Sequence, residues 1–212
     1  MKKSVILGCA LAAAVGCAQA SVIQVEAANG SSGFLADAAA YQAAVDATLL
    51  NPSYAMATPA SLDFISHNGL FGGATNFAMK TTVSFGVASA GTWSFRAGVD
   101  FGFGGAMFLD GVAVDFKAND MWWAGNYDNA SQFLAASGPL TAGNHVLTVM
   151  GFEACCDGGQ QVQFMKSGDT VFTSFSTTDG LVAEVPEPAT FGLAAAGLAL
   201  VGLGRRRKVR QA

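Results

Sequence analysis

The stretch Thr92-Trp93-Ser94-Phe95-Arg96-Ala97-Gly98-Val99-Asp100-Phe101 alternates with a period of two. Successive side chains of an extended chain point to opposite faces, so Trp93, Phe95, Val99 and Phe101 fall on one face, which is core. Just downstream, Gly104-Gly105-Ala106-Met107-Phe108-Leu109 and Val112-Ala113-Val114-Asp115-Phe116 flank Asp110-Gly111. Asp-Gly between apolar runs is the strongest short signal of a β-hairpin. Together with a Gly-rich, Phe-rich and Lys-poor composition, these patterns predict an all-β domain, an antiparallel β-sandwich of jelly-roll-like type.

Further strands are predicted outward from this centre, at His145 to Glu153, Gln161 to Met165 and Thr170 to Phe175, with Val22-Ile23-Gln24-Val25 as a first strand. Leu35 to Leu50 is Ala-rich and reads as a short helix ending before Asn51-Pro52, an insertion packed on the sheet. Asn119 to Ser137, which holds Trp122, Trp123 and Tyr127, has no clear period and is expected to be a long loop. Long ordered loops on a sandwich often carry function.

The two ends of the chain have a different character. Lys2 and Lys3 precede an apolar stretch from Val5 to Ala18, and Ala18-Gln19-Ala20 is a small-x-small cleavage site. Residues 1–20 are therefore read as a signal peptide, cut by signal peptidase, with the mature chain starting at Ser21. A rival reading makes Cys17 a lipidated residue, since Ala14-Val15-Gly16-Cys17 is close to a lipobox but lacks the usual Leu. At the other end, residues 185–212 begin with Val185-Pro186-Glu187-Pro188. An uncharged run from Ala189 to Gly204 follows, and then Arg205, Arg206, Arg207, Lys208 and Arg210. As a helix that run extends roughly 24 Å at about 1.5 Å per residue, a marginal span for a hydrocarbon core of about 30 Å. The basic tail holds the C-terminus in the cytoplasm, because Lys and Arg resist translocation. The expected layout is a single transmembrane helix at 189–204, with residues 21–184 exported as one domain.

Charge follows the same division. Seven of the eleven basic residues lie in the two terminal clusters, and all fifteen acids lie between those clusters. Only Lys80, Arg96, Lys117 and Lys166 offset them, so the intervening chain carries 4 − 15 = −11. Nucleic acid is excluded as a partner, since phosphate binding requires a basic surface.

Pro186-Glu187-Pro188 before a short apolar run and an Arg-rich end resembles the PEP-CTERM sorting domain, also labelled the ice-binding protein C-terminal domain. The resemblance implies a protein of Gram-negative bacteria that build exopolysaccharide, held briefly in the inner membrane and processed by an exosortase at the Pro-Glu-Pro site. Prolines disfavour helix at the preceding residue and leave an extended strip for a protease to grip. Cys155-Cys156-Asp157-Gly158 is similar to the Cys-Cys-x-Gly motif of the CCXG subfamily, a name that assigns no activity.

A second resemblance covers roughly Thr92 to Phe175. An acidic turn, an apolar pair before Asp110-Gly111, a tryptophan-bearing loop and Leu140-Thr141-Ala142-Gly143-Asn144-His145 leading into a strand resemble the carbohydrate-binding β-sandwich named after anthrax protective antigen. In lectin members of that family an Asp-Asp pair binds calcium that bridges sugar hydroxyls. The equivalent positions here are Gly102 and Phe103, and Asp100 lies just upstream. Calcium is the candidate cation, held by Asp100, Asp110 or Asp157 with turn carbonyls, since calcium takes six to eight oxygens in flexible geometry. The same Asp and Gly residues also read simply as turn formers.

Trp122, Trp123 and Tyr127 are candidates for a sugar-stacking platform, or for a lid on the core beneath the loop. Cys155 and Cys156 sit in an oxidising compartment, where they clamp a turn, link copies of the chain or sense redox state. No catalytic signature is present: Gly-x-Ser-x-Gly and His-Glu-x-x-His are both missing. The sequence thus predicts a non-enzymatic surface or exopolysaccharide-matrix protein, structural or adhesive, with glycan as its expected ligand. A disulfide-linked coat protein and a secreted polysaccharide hydrolase are the alternatives.

Overall fold

The computed structural model describes residues 20–181. The expected signal peptide up to Gln19, the Pro-Glu-Pro motif, the apolar run expected to span the membrane and the basic tail lie outside the described residues. Strand β1 (Val22–Asn29) leads to helix α1 (Ala38–Thr48), β2 (Ala55–Ala57), helix α2 (His67–Phe71), β3 (Phe77–Val87), β4 (Gly91–Gly98) and β5 (Asp100–Phe101). Then come β6 (Gly105–Leu109), β7 (Val112–Lys117), β8 (Met121–Trp122), β9 (Phe133–Leu140), β10 (Gly143–Glu153), β11 (Gln161–Lys166) and β12 (Thr173–Ser174). They form a six-stranded sheet, β2-β1-β3-β10-β6-β7, a four-stranded sheet, β12-β11-β4-β9, and the short pair β5-β8. Every pairing is antiparallel.

The core between the two sheets follows from alternation. In β4, Trp93, Phe95 and Ala97 are buried while Ser94 and Arg96 between them are not. They meet Phe85, Leu147, Val149, Phe164 and Phe175 from the neighbouring strands. The run expected to be one strand through Phe101 breaks at Val99: β4 belongs to the four-stranded sheet, and Asp100–Phe101 pairs instead with β8. Val99 and Phe101 are nevertheless buried.

Helix α1 is the predicted insertion. Asp37 caps its N-terminus by accepting from the Ala40 amide at 2.8 Å, and Tyr41 and Val45 pack on Ala106, Phe108, Met150 and Phe152, on the outer face of the larger sheet. The Asp110-Gly111 hairpin joins β6 and β7, with Leu109 opposite Val112 and φ of +52° and +78° at the two turn residues. The expected loop from Asn119 to Ser137 is only partly a loop. It holds β8, and from Phe133 it is β9, whose Leu134 and Leu140 are buried while Ala135, Ser137 and Pro139 are exposed. Small residues and one proline masked that period.

The segment after β12 is not a free stem. The Thr177 amide donates to the Ala60 carbonyl at 2.8 Å, and Asp179 accepts from the Ser21 amide at 3.5 Å. Among the described residues no helix is long and apolar enough to cross a membrane.

Candidate functional site

Strand β10 runs from Gly143 to Glu153, and its last residue carries a carboxylate into the end of the sandwich. Glu153 is 1 % exposed, and its two oxygens accept from the amides of Gly102 and Cys155, each at 2.7 Å. Burial raises its pKa to about 7, with the charge of Asp100 adding to that, against the backbone amides that favour ionisation. Asp100 is 4 % exposed, and burial lifts it to about 6, opposed by the Gly158 amide and reinforced by Asp157 and Asp120. Among the described residues, no lysine or arginine pairs with either acid. Two buried acids on a shared recess, held by backbone amides rather than by cations, present oxygens that can accept from hydroxyl donors.

The recess has a volume of about 240 Å³. Its walls include Asp100, Asp120, Trp122, Glu153, Cys155 and Cys156. Asp100 and Trp122 are partners in the β5-β8 register, so their side chains leave the same face. The indole is 67 % exposed and stands at the mouth.

The Cys155–Gly158 turn builds the opposite wall, and each residue of it has a contact. Cys155 and Cys156 are joined to each other by a disulfide, with Cys156 at φ +74°. That bond is within the chain, so in this structure the two sulfurs engage each other. The Asp157 carboxylate accepts from the amides of His67 at 3.2 Å and Asn68 at 2.6 Å, at the start of α2. Gly158 passes so close to Asp100 that a Cβ there would sit 2.5 Å from a carboxylate oxygen.

The sequence candidates are thus divided. Asp100 and Trp122 come together with the cysteine pair. Asp110 lies at the far end of β10, where its carboxylate accepts from the Val146 amide at 2.9 Å and meets His145 Nδ1 at 2.7 Å. Trp123 turns away from Trp122, is 3 % exposed, and lies against Tyr127 on the outer face of the smaller sheet. A side chain at Gly98 would collide with that indole. Glu153 and Asp120 escaped the sequence reading; the signal for Glu153 was an acid ending an otherwise apolar strand. Among the described residues, no three His, Cys, Asp or Glu side chains are grouped to hold a metal. Both Glu153 oxygens and both Asp157 oxygens accept from backbone amides.

Residues 184–208 match the family described as the PEP-CTERM protein-sorting motif. The chain carries a PEP-CTERM sorting motif. Its PEP-CTERM segment covers the Pro186-Glu187-Pro188 strip, the apolar run and Arg205 to Lys208. The described residues share the fold of PA14 domains, the β-sandwich family that the sequence resembles. They superpose on the PA14 sugar-binding domain of an RTX adhesin with a TM-score of 0.52 at 14 % identity, over 78 % of this chain and 99 % of that one. The PA14 domain of the antifreeze protein MpAFP gives 0.51 at 14 % identity, over 79 % and 93 %. The epithelial adhesin 9 A domain of Candida glabrata, in complex with Galb1-3GlcNAc, gives 0.51 at 11 % identity, over 78 % and 89 %. No curated protein matches the chain.

Proposed function

We propose that this is an exported adhesive module, sorted through its PEP-CTERM segment to the cell surface or exopolysaccharide matrix, that binds glycan in the recess at Asp100, Trp122 and Glu153. One observation carries the reading: Asp100 and Trp122, register partners on β5 and β8, set a carboxylate beside an exposed indole on one wall. A sugar ring offers the complementary pair, an apolar face for the indole and hydroxyl donors for the carboxylates. The sugar-binding neighbours support this through their shared fold, and the site itself rests on the residues present here.

The proposal needs no metal, so chelator leaves binding unchanged. It is tested by titrating the exported chain with neutral oligosaccharides from the host matrix. Trp122→Ala and Asp100→Asn each weaken binding by about tenfold, on the scale of one lost stacking contact or one charged hydrogen bond. Unchanged affinity in both variants rejects the recess as the site, and release of new reducing ends by the wild type replaces binding with hydrolysis. For the sorting half, loss of the host exosortase leaves a larger, membrane-bound form. An unchanged C-terminal mass in that strain ends the processing claim.

A further inference from the structure

The outer face of the smaller sheet holds a second recess that shares no residue with the acidic one. Alternation in β4 turns Ser94 and Arg96 to this face. The Arg96 guanidinium is clasped by two rings, its Cζ 3.7 Å from the centroid of Tyr127 and 4.0 Å from that of Phe172. Its Nε donates to Gln163 Oε1 at 2.7 Å, and Gln163 is itself held by Ser174 at 3.2 Å. Among the described residues no carboxylate forms an ion pair with it. The ion pairs among the described residues engage Lys80, Lys117 and His145, and the acid nearest in this network, Asp63, is bonded to Gln161 and Ser174. A permanently charged group has thus been drawn among aromatic rings, on a strongly acidic chain, without an ion-pair partner among the described residues.

Beside it the floor is low. Register places Ala135 opposite Arg96 and Ser137 opposite Ser94, and these small side chains leave a groove of about 410 Å³. That volume lies within the range of about 300–1,000 Å³ typical of small-ligand sites. Phe133 stands over the groove, packed edge-on against Tyr127 at 5.0 Å, and Ser94 and Ser137 place their hydroxyls 3.0 Å apart in the same groove. With two rings against the guanidinium and Nε bonded to Gln163, what Arg96 offers a ligand is its Nη edge. That edge is a fork matched to the two oxygens of a carboxylate.

We infer that this groove binds the carboxylate-bearing ring of a uronate sugar, from an acidic polysaccharide. The sugar carboxylate meets the Arg96 Nη edge, an apolar ring face lies on Phe133, and ring hydroxyls exchange hydrogen bonds with Ser94 and Ser137. The inference is independent of the acidic recess, whose own carboxylates repel such a ligand.

Nuclear magnetic resonance titration of the exported chain with oligouronates tests this, with the carboxyl-reduced oligomer and poly-glutamate as comparison arms. The expected result is saturable shifts of the Arg96 Nε–H and of the Ala135 and Ser137 amides with oligouronate, and none with the reduced oligomer. Arg96→Met weakens the oligouronate by tenfold or more, and Arg96→Lys, which keeps the charge and loses the fork, weakens it several-fold. Trp122→Ala leaves it unchanged, so failure at one recess is distinguishable from failure at the other. Absence of shifts in the wild type overturns the inference without recourse to any variant. So does equal affinity of Arg96→Met, and poly-glutamate bound as tightly as oligouronate overturns the sugar assignment in favour of an acidic peptide.

Discussion

Gly158 shows what the Cys-Cys-Asp-Gly motif demands of its last residue. Gly158→Ala drives a methyl group against the Asp100 carboxylate, at 2.5 Å before any relaxation. Overpacking of this kind costs about 1–3 kcal/mol, and the expected outcome is a lower thermal midpoint together with weakened glycan binding, read by melting and titration of the same sample. Asp100 also marks where residue-level reading of the sequence stopped. Alternation put Phe101 on the core face and left Asp100 facing outward, yet it is 4 % exposed. What covers it is the turn at Gly158 and β8 with Trp122, supplied by chain far away in sequence. Alternation reports which face a side chain takes and carries no information about what later folds over that face. The same limit separated Trp122 from Trp123: adjacency in a period-free segment gave no ground for assigning them opposite directions.

Among the elements, the β6-β7 hairpin was legible because its turn chemistry is local, and its Asp110 does more than turn the chain. Its carboxylate accepts from the Val146 amide and holds His145, whose other ring nitrogen faces the Thr141 carbonyl at 3.0 Å. Burial opposes the imidazolium, but the hydrogen bonds to Asp110 and Thr141 outweigh it and raise the pKa of His145. Asp110→Ala loses both contacts at a cost of about 2 kcal/mol, the scale of charge-assisted hydrogen bonds. A group held above its unfolded pKa stabilises below that unfolded value and ceases to do so as pH rises through the folded one. Denaturant titrations should therefore show a larger Asp110→Ala deficit at acidic than at alkaline pH. Strand β9 was less legible, because Ala135, Ala136, Ser137 and Gly138 offer almost no contrast in hydrophobicity from one position to the next. Ala135, Ala136 and Ser137 of this run line the Arg96 groove, so what hid the strand is what opens the groove.

For the whole molecule, Asp100, Glu153 and His145 are displaced in one direction, each binding its proton more tightly in the folded state. Folding near neutrality takes up protons, and the stability due to the two acids is lost between their unfolded values of 3.8 and 4.5 and their folded values of about 6 and about 7. Their contribution to the thermal midpoint accordingly falls from mildly acid to neutral pH, the reverse of ordinary carboxylate behaviour. At about 2–4 °C per kcal/mol for a domain of this size, the effect is measurable. Glu153→Gln flattens the profile over that window, and an unaltered profile in the variant counts against a neutralised Glu153.

The contact between Ser21 and Asp179 sets the direction in which the module looks. It lies beside Val22, which pairs with Ser84 toward one end of β3, whereas Glu153 pairs with Phe77 at the other. Seven residues of strand separate those positions, about 24 Å at roughly 3.4 Å per residue. Ser21 and Asp179, where the described chain enters and leaves, thus lie toward one end of the sandwich, and the recess beside Glu153 and Trp122 lies toward the other. On the function proposed above, a glycan reaches the recess from the side opposite both ends of the described chain.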